Sequence, residues 1–304
     1  MRTFRGKGAP AGPSHLQWRV EEEAEGACLA DYLARQMLLD GEDARDLIDF
    51  GSVQIGGRQE RDPGRRLSSG QEIRVYRPWG GTRRFYDIDP ARILFRDRTL
   101  FAYDKEPGIP SQQTPSDAYN NLFAAVIRHV SKEGGKAPYV ALHHRLDRET
   151  SGVMVFTLDR SANRRLGDAF QRHEVKKEYL AWVQGRPESD EWIGSEDIGR
   201  KDGRYCTCPR GRGKSAETLF RVLHRDADRS LVSAMPLTGR THQIRLHLAA
   251  AGFPVLGDRL YSGRPAGRLY LHALRLRLAH PADGSELTLT APVPADWPPP
   301  RPEP

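Results

Sequence analysis

Residues 143–152 read His-His-Arg-Leu-Asp-Arg-Glu-Thr-Ser-Gly, and they separate two short apolar runs at residues 139–142 and 153–156. Runs this short, rich in β-branched and aromatic residues, predict buried strands. A charged loop held between two buried strands is a rigid mount for polar side chains, as a catalytic site requires. Within this loop Asp147 is the carboxylate that can lie deepest, and it has an arginine close by on either side.

The cations near Asp147 leave two interpretations open. Positive neighbours favour the ionised form of a carboxylate, which suits an anionic nucleophile better than a general acid. Alternatively, Asp147 and Arg145 form a structural ion pair that fixes a turn, because structural pairs also perturb titration. The loop alone is compatible with both interpretations.

The pattern His144-Arg-Leu-Asp-x-x-Thr-Ser-Gly152 resembles the signature of the RluA-like family of pseudouridine synthases, whose nucleophilic aspartate stands at the position of Asp147. Two further motifs of that family follow in the expected order, Lys177-x-Tyr-x-Ala181 and Thr238-Gly-Arg-Thr-His-Gln-Ile-Arg-x-His-Leu248. The resemblance extends over residues 90–296. It implies an α+β fold, a mixed body around a curved, mainly antiparallel sheet with the active-site cleft on one face.

The resemblance also implies roles for individual residues. Asp147 would be the nucleophile, Arg245 its cation partner, and Tyr179 the aromatic side chain against the target uracil. The alternative for Tyr179 is an ordinary strand aromatic. Arg145 is expected to fill the space left by the extruded base or to hold a phosphate. The residues expected to bind the substrate or wall the pocket are Lys105, Arg145, Leu146, Arg240 and Ile244.

Four histidines lie within or beside these motifs. They are expected to be hydrogen-bonded structural residues, because the implied chemistry needs no imidazole. These histidines are His144, His242, His247 and His272.

No cofactor and no metal are expected. Isomerising uridine to pseudouridine involves no redox change, and the sequence has no Gly-x-Gly-x-x-Gly and no phosphate-binding loop. Cys206 and Cys208 could supply half of a zinc site, but no second Cys/His pair stands at ligand spacing. A solvated β-ribbon or insertion loop is the expected structure for residues 186–214. Three cysteines are too few for a disulfide framework, so we expect the protein to work in a reducing cytoplasm.

The charge of the chain is unevenly distributed. The 304 residues carry a formal net charge of +7, yet residues 16–57 alone carry −7 and the rest +14. A basic body suggests a polyanionic partner, most simply RNA, although a solubilising surface would look the same in composition. No apolar run approaches the length of a transmembrane helix. We expect a monomer without a membrane partner.

Composition and motif order divide the chain into five segments. A disordered basic tail is expected over residues 1–15, a small RNA-binding-like module over 16–78 and a linker over 79–89. The catalytic domain is expected over 90–296, followed by a Pro-rich tail over 297–304.

Residues 27–77 resemble the small RNA-binding module shared by some ribosomal proteins and RNA-modifying enzymes. Leu29, Leu33 and Met37 recur at helical spacing, and a second short helix is expected over residues 43–50. This second helix is acidic, whereas the second helix of the module is usually basic. A purely structural role of the module therefore stays open beside a role in RNA binding. The basic residues of the region come later, at Arg58, Arg61, Arg65, Arg66, Arg74, Arg77, Arg83 and Arg84.

The function expected from these motifs is isomerisation of uridines in structured RNA, with large-subunit ribosomal RNA as the favoured substrate and transfer RNA as the alternative. A non-catalytic RNA-binding or ribosome-assembly factor would keep the basic body but would have no use for Asp147. A nucleoside or glycoside hydrolase would want a second carboxylate flanking the scissile bond. Asp258, in Leu256-Gly-Asp-x-x-Tyr261, is the other acidic residue that could serve as this second carboxylate.

Overall fold

The structure is a computed structural model that describes residues 15–76, 85–115, 118–134 and 138–299. The first half of the chain supplies strands β1 (His15–Arg19), β2 (Val53–Ile55), β3 (Arg58–Gln59), β4 (Glu72–Tyr76), β5 (Ile93–Arg96), β6 (Leu100–Lys105) and β7 (Ala141–Leu142). The second half supplies β8 (Ser151–Thr157), β9 (Lys176–Gln184), β10 (Glu191–Gly194), β11 (Asp197–Lys201), β12 (Arg204–Cys208), β13 (Thr218–Arg225), β14 (Arg229–Pro236), β15 (Leu271–Ala279) and β16 (Glu286–Thr290). The helices are α1 (Leu29–Met37), α2 (Gly41–Asp49), α3 (Leu122–Gly134), α4 (Arg160–Gln171) and α5 (Gln243–Ala250).

The described residues form two compact units. One contains the residues up to 88 together with residues 110–133, and the other contains residues 89–109 together with those from 134 onward. No helix in the described ranges is both long and apolar enough to cross a membrane.

The first unit is built on a four-stranded sheet in the order β1-β4-β2-β3. Helices α1 and α2 cover it, and Leu29 and Leu33 of α1 are fully buried in its core, as their helical spacing predicts. The helix α2 starts where the Asp40 side chain accepts a hydrogen bond from the Asp43 backbone N–H at 2.7 Å. This cap satisfies one of the free donors at the helix N-terminus.

Residues 118–128 pack against this N-terminal module within the same unit. The Tyr119 backbone N–H donates to the Phe50 carbonyl at 3.1 Å, and the Arg61 guanidinium lies 4.1 Å from the centre of the Tyr119 ring. Gly51 has φ +73, and a Cβ there would lie 2.7 Å from Ala118. The module is therefore tied to a segment that follows β6 in sequence.

The second unit is built on a ten-stranded sheet whose main path runs β10-β13-β14-β9-β15-β8-β6-β5. Neighbouring strands are antiparallel except β8 and β15, which are parallel where Ser151 and Gly152 pair with His272 and Ala273. β16 pairs with β15, and β7 pairs with β8. This mixed α+β body around a mainly antiparallel sheet is the fold that the motif resemblance predicts.

Gly152 makes the junction of β8 and β15 possible. Its φ is +114, and a Cβ at this position would lie 2.2 Å from the Ala273 carbonyl oxygen. Only glycine permits so close an approach of the two backbones. The last residue of the 143–152 motif is therefore a packing requirement of the sheet.

Helix α5 is enclosed on both sides. Ile244 and Leu248 pack against the large sheet, in a cluster that includes Ala181 and Val232. On another side, Leu246 packs against Ile198 at the start of β11. Residues 243–248 are all buried, so the helix is buried on more than one face.

Some regions differ from the expectation or extend it. Residues 191–194 of the expected insertion join the large sheet, and β11 and β12 form a separate antiparallel ribbon. Trp297, expected in a tail, is 8% exposed and packs against Trp182. Residues 1–14, 77–84 and 300–304, which contain most of the expected tails and linker, lie outside the described residues.

Candidate active site

The loop before β8 is anchored through the carbonyl of Arg148. The Lys105 ammonium donates to the carbonyls of Glu106, Ile109 and Arg148 at 2.8, 2.9 and 2.9 Å. The Gly108 backbone N–H donates to the same Arg148 carbonyl at 2.8 Å. Two donors thus hold the residue next to Asp147, and β6 positions them.

A histidine fixes the other side of this loop. The Val155 backbone N–H of β8 donates to Nε2 of His144 at 3.0 Å, so the imidazole must keep a lone pair on that nitrogen. Burial lowers the pKa of His144 to about 3, with further lowering by Lys177 and His143. His144 is a neutral, structural residue, as predicted.

Asp147 and Arg245 meet at the end of the loop. Arg245 Nη1 donates to Asp147 Oδ2 at 2.9 Å, and the two residues are 98 positions apart in sequence. The Asp147 side chain is 24% exposed, whereas that of Arg245 is 7% exposed. The carboxylate is thus open to solvent on one side and held by a buried cation on the other.

A second carboxylate, Asp258, holds Arg245 in place. Arg245 Nε donates to Asp258 Oδ2 and Nη2 donates to Oδ1, both at 2.7 Å, a bidentate pair. Burial opposes the charge on Arg245, but Asp258 and Asp147 outweigh it and raise the pKa of the guanidinium above its usual value. The arginine therefore stays charged and bridges both carboxylates.

Asp258 is itself positioned by backbone donors. Its Oδ1 accepts hydrogen bonds from the backbone N–H groups of Leu260 and Tyr261 at 3.0 and 3.2 Å, and its side chain is fully buried. The preceding Gly257 has φ +79, and a Cβ there would lie 1.8 Å from the Arg268 carbonyl oxygen. The turn after α5 is therefore shaped to present Asp258 to Arg245 and not to a substrate.

Tyr179 lies on β9, between Ala234 of β14 and Ala273 of β15. Burial, together with the nearby charge of Asp147, raises the pKa of the Tyr179 phenol well above its usual value. Tyr179 packs against the cluster that contains Ile244, and Leu146 is also buried. The structure therefore brings Tyr179 near Asp147 and places both expected wall residues in the protein interior.

The remaining predicted residues lie differently. Lys105 is fully buried with its ammonium held by three carbonyls, so its contacts are with the protein itself. Arg240 Nε donates to the Ser215 carbonyl at 2.9 Å. Arg145 is exposed, beside Asp147 in sequence. Of these three residues, Arg145 remains the one most open to a substrate.

A histidine and two tyrosines complete the surroundings of Asp147. His242 Nε2 lies 3.8 Å from Asp147 Oδ1, and His242 Nδ1 lies 2.7 Å from the Tyr261 hydroxyl. Tyr205 of β12 packs edge-on against His242, with ring centres 5.7 Å apart. The sequence motif Leu256-Gly-Asp-x-x-Tyr261 contains the signal for this cluster, but it does not reveal which side chains converge.

The described residues contain no group of three or more metal-binding side chains. Within those same ranges the three cysteines are free, and Cys208 Sγ donates to the Asp197 carbonyl at 3.4 Å. The side chains that surround Asp147 in the described residues are the guanidinium of Arg245, the imidazole of His242 and the phenols of Tyr179 and Tyr261.

Comparison with known proteins agrees with this geometry. The sequence profile of the RNA pseudouridylate synthase family matches residues 99–250. The chain is 34% identical over 215 residues to the dual-specificity RNA pseudouridine synthase RluA of Salmonella typhimurium. The aligned region covers 67% of this chain and 93% of the relative. It is 36% identical over 212 residues to the ribosomal large subunit pseudouridine synthase C of Vibrio cholerae, covering 67% of this chain and 66% of the relative.

Solved structures give the same result. Human RNA Pseudouridylate Synthase Domain Containing 4 aligns with a TM-score of 0.57 and 26% identity, covering 67% of this chain and 89% of that chain. Human RNA Pseudouridylate Synthase Domain Containing 1 aligns with a TM-score of 0.53 and 27% identity, covering 68% and 86%. Because the matched profile includes the loop, the strand and the helix that carry Asp147, Tyr179 and Arg245, the chain belongs to the RluA-like family of pseudouridine synthases.

Proposed function

We propose that this pseudouridine synthase acts on folded ribosomal RNA of the large subunit, with Asp147 as its nucleophile. The observation that supports this role is the bridge from Asp147 through Arg245 to Asp258. A buried guanidinium holds Asp147 Oδ2 at 2.9 Å, while about a quarter of the Asp147 side-chain surface stays open. An accessible carboxylate in a fixed orientation is what nucleophilic catalysis requires.

The reaction breaks the bond between uracil N1 and ribose C1′ and forms a bond between C5 and C1′. The proton lost from C5 is balanced by one gained at N1, so the product has the composition of the substrate. Three routes are open to Asp147: attack on the sugar, attack on the base, or removal of the 2′ proton. Each of them needs one carboxylate beside C1′ and C6.

The residues around Asp147 would receive the extruded base. A base inside folded RNA must leave its stack before a side chain can reach it. Tyr179 would stack on the uracil, with Leu146 and Ile244 as the apolar walls. The exposed Arg145 would fill the vacated space in the RNA or hold a phosphate.

The choice of ribosomal RNA rests on the relatives. One of them is named as a ribosomal large subunit enzyme and another as a dual-specificity enzyme, so transfer RNA is the alternative substrate. The N-terminal module supports the same choice, because it resembles an RNA-binding module of ribosomal proteins. We propose that its exposed arginines, and not its acidic α2, contact the RNA.

Asp258 is unavailable as the second carboxylate that a hydrolase would need. Both Asp258 oxygens are engaged by Arg245, Oδ1 also accepts two backbone N–H groups, and the side chain is fully buried. It therefore cannot flank a scissile bond as a second carboxylate would. Asp147 would have to act alone, as isomerisation allows.

Two measurements test the proposal. Incubating RNA with the protein should yield pseudouridine without released uracil; a hydrolase would free uracil, and a simple binder would change nothing. Mapping pseudouridine in total RNA from cells with and without the gene should show a site lost from ribosomal RNA. A lost site confined to transfer RNA would overturn the choice of substrate.

A further inference from the structure

The two oxygens of Asp147 have different surroundings. Oδ2 accepts the hydrogen bond from Arg245 at 2.9 Å, whereas Oδ1 lies 3.8 Å from His242 Nε2. A separation of 3.8 Å exceeds hydrogen-bond length, so this contact is electrostatic and does not engage a lone pair of Oδ1 in a hydrogen bond. If the nucleophile acts through one oxygen, the geometry favours Oδ1, and His242 is the side chain beside it.

The direction of the hydrogen bond between Tyr261 and His242 is linked to which nitrogen of the imidazole carries the proton. The Tyr261 hydroxyl lies 2.7 Å from Nδ1, and burial raises the pKa of that phenol to about 12, so it keeps its proton. If Nδ1 accepts this proton, Nε2 must be the N–H. The reverse tautomer would point the Nε2 lone pair at the Asp147 carboxylate, which is electrostatically unfavourable.

The surroundings of His242 also favour a neutral ring with a fixed orientation. Burial lowers the pKa of His242, although Asp147 raises it in part. The rings of Tyr205 and Tyr261 meet the imidazole edge-on, with ring centres 5.7 and 5.6 Å away. Rotation of the ring would break the Tyr261 bond and both aromatic contacts.

The backbone of His242 has a conformation that few residues other than glycine adopt. It precedes α5 with φ 58 and ψ 19, in the left-handed region that glycine and asparagine adopt most readily. A residue needed only to start the helix would be better as asparagine. Backbone conformations of this kind concentrate at functional sites.

We propose that His242 is a positioning residue for the nucleophile: Tyr261 fixes its Nε2–H tautomer, and that N–H orients Asp147 Oδ1 toward the substrate. Asp258 stands at the origin of both arms, since it binds Arg245 directly and receives the backbone N–H of Tyr261. The carboxylate is thus hydrogen-bonded through Oδ2 and faces the imidazole through Oδ1. This inference rests on the proposed role of Asp147.

Two substitutions of His242 separate positioning from a merely structural role. His242→Gln keeps an N–H donor near the place of Nε2 but is less suited to the left-handed backbone. His242→Asn suits that backbone and keeps an amide near Nδ1 for Tyr261, but it has nothing that reaches Asp147. We expect the single-turnover rate of pseudouridine formation to fall about 100-fold for Asn and less than tenfold for Gln. RNA affinity should change little in either variant.

A structural role predicts the opposite order, so an Asn variant as fast as the Gln variant would overturn the proposal. A second measurement does not depend on activity. The ¹⁵N chemical shifts of the His242 imidazole should show the proton on Nε2 in the wild-type protein and a mixture of tautomers in Tyr261→Phe. A wild-type proton on Nδ1 would overturn the proposal, whether or not the protein forms pseudouridine. An inactive wild-type protein would count against the proposed function alone.

Discussion

At the residue scale, Arg245 bridges two carboxylates. One is Asp147, the proposed nucleophile, and the other is the buried Asp258. Its Nη1 serves Asp147, and its Nε and Nη2 serve Asp258. A lysine could supply the charge but not the planar fork that this geometry uses. The arginine therefore holds both the turn that carries Asp258 and the carboxylate for which we propose the role of nucleophile.

Replacing Arg245 by Met should destabilise the protein by about 3–5 kcal/mol, because Asp258 would remain buried without its cation. Activity should fall severely, because Asp147 would lose the hydrogen bond that holds its Oδ2. Urea unfolding measures the loss of stability, and single-turnover rates measure the loss of activity. Arg221→Met is the matched control: its pair with Glu191 is about two-thirds exposed, and its loss should cost about 1 kcal/mol or less. Wild-type rates for Arg245→Met at neutral pH would contradict the pairing.

His144 predicts a pH dependence of stability. The pKa of its imidazole is about 3 in the fold because of burial, against about 6.5 when unfolded. Between these values the unfolded chain binds the extra proton, so stability is complete above pH 6.5 and falls as the pH drops toward 3. The slope from this residue should be at most about 1.4 kcal/mol per pH unit.

His144→Gln supplies an acceptor for Val155 N–H but no titrating group, so it should flatten the slope. His173→Asn is the control, because His173 is exposed and its φ of 59 suits asparagine. Urea unfolding at pH 7, 5.5 and 4 compares the three proteins. Equal slopes in wild type and His144→Gln would rule out the buried neutral histidine.

At the scale of elements, two short apolar runs predicted β7 and β8, and the helical spacing of Leu29, Leu33 and Met37 predicted α1. β15 and β16 were not predicted, although Leu274, Leu276 and Leu278 alternate with arginines as a strand requires. The meeting of α5 with the 143–152 loop follows from the sheet pairing over long sequence distances, and no local pattern contains it. Motif resemblance, and not periodicity, therefore identified Arg245 in advance.

Gly152 allows the junction of β8 and β15 to be tested. Gly152→Ala should destabilise the protein severely, because its Cβ would lie 2.2 Å from a backbone oxygen. Gly203→Ala is the matched control, since Gly203 has φ +77 but no atom within 4 Å of the added Cβ. The control should lose about 1 kcal/mol from its backbone conformation alone. Similar melting temperatures for the two variants would contradict the packing argument.

At the scale of the whole molecule, the N-terminal unit carries charges of both signs. Residues 16–57, which include α1 and α2, carry a net charge of −7, while five arginines follow in the described part, at Arg58, Arg61, Arg65, Arg66 and Arg74. Arg77, Arg83 and Arg84 lie outside the described residues. Truncating residues 1–80 would strip residues 118–128 of their packing partner, so point substitutions are the cleaner test.

The double substitution Arg58→Gln with Arg65→Gln should weaken RNA binding and flatten its salt dependence. Each lost phosphate contact should lower the slope of log K against log salt by about 0.7–0.9. Arg35→Gln with Arg45→Gln is the control of equal charge change, because these exposed arginines lie on α1 and α2, within the acidic segment 16–57. Equal slopes for both pairs would show that the arginines after α2 take no particular part in RNA capture.

The most direct test of the proposed function is to measure how much pseudouridine the Asp147→Asn variant forms. This substitution keeps the shape of the side chain and removes its charge and nucleophilicity. We predict pseudouridine in ribosomal RNA incubated with the wild-type protein and none above background with Asp147→Asn. The RNA affinity and the melting temperature of the variant should stay close to those of the wild type. Substantial pseudouridine formation by Asp147→Asn would contradict this prediction.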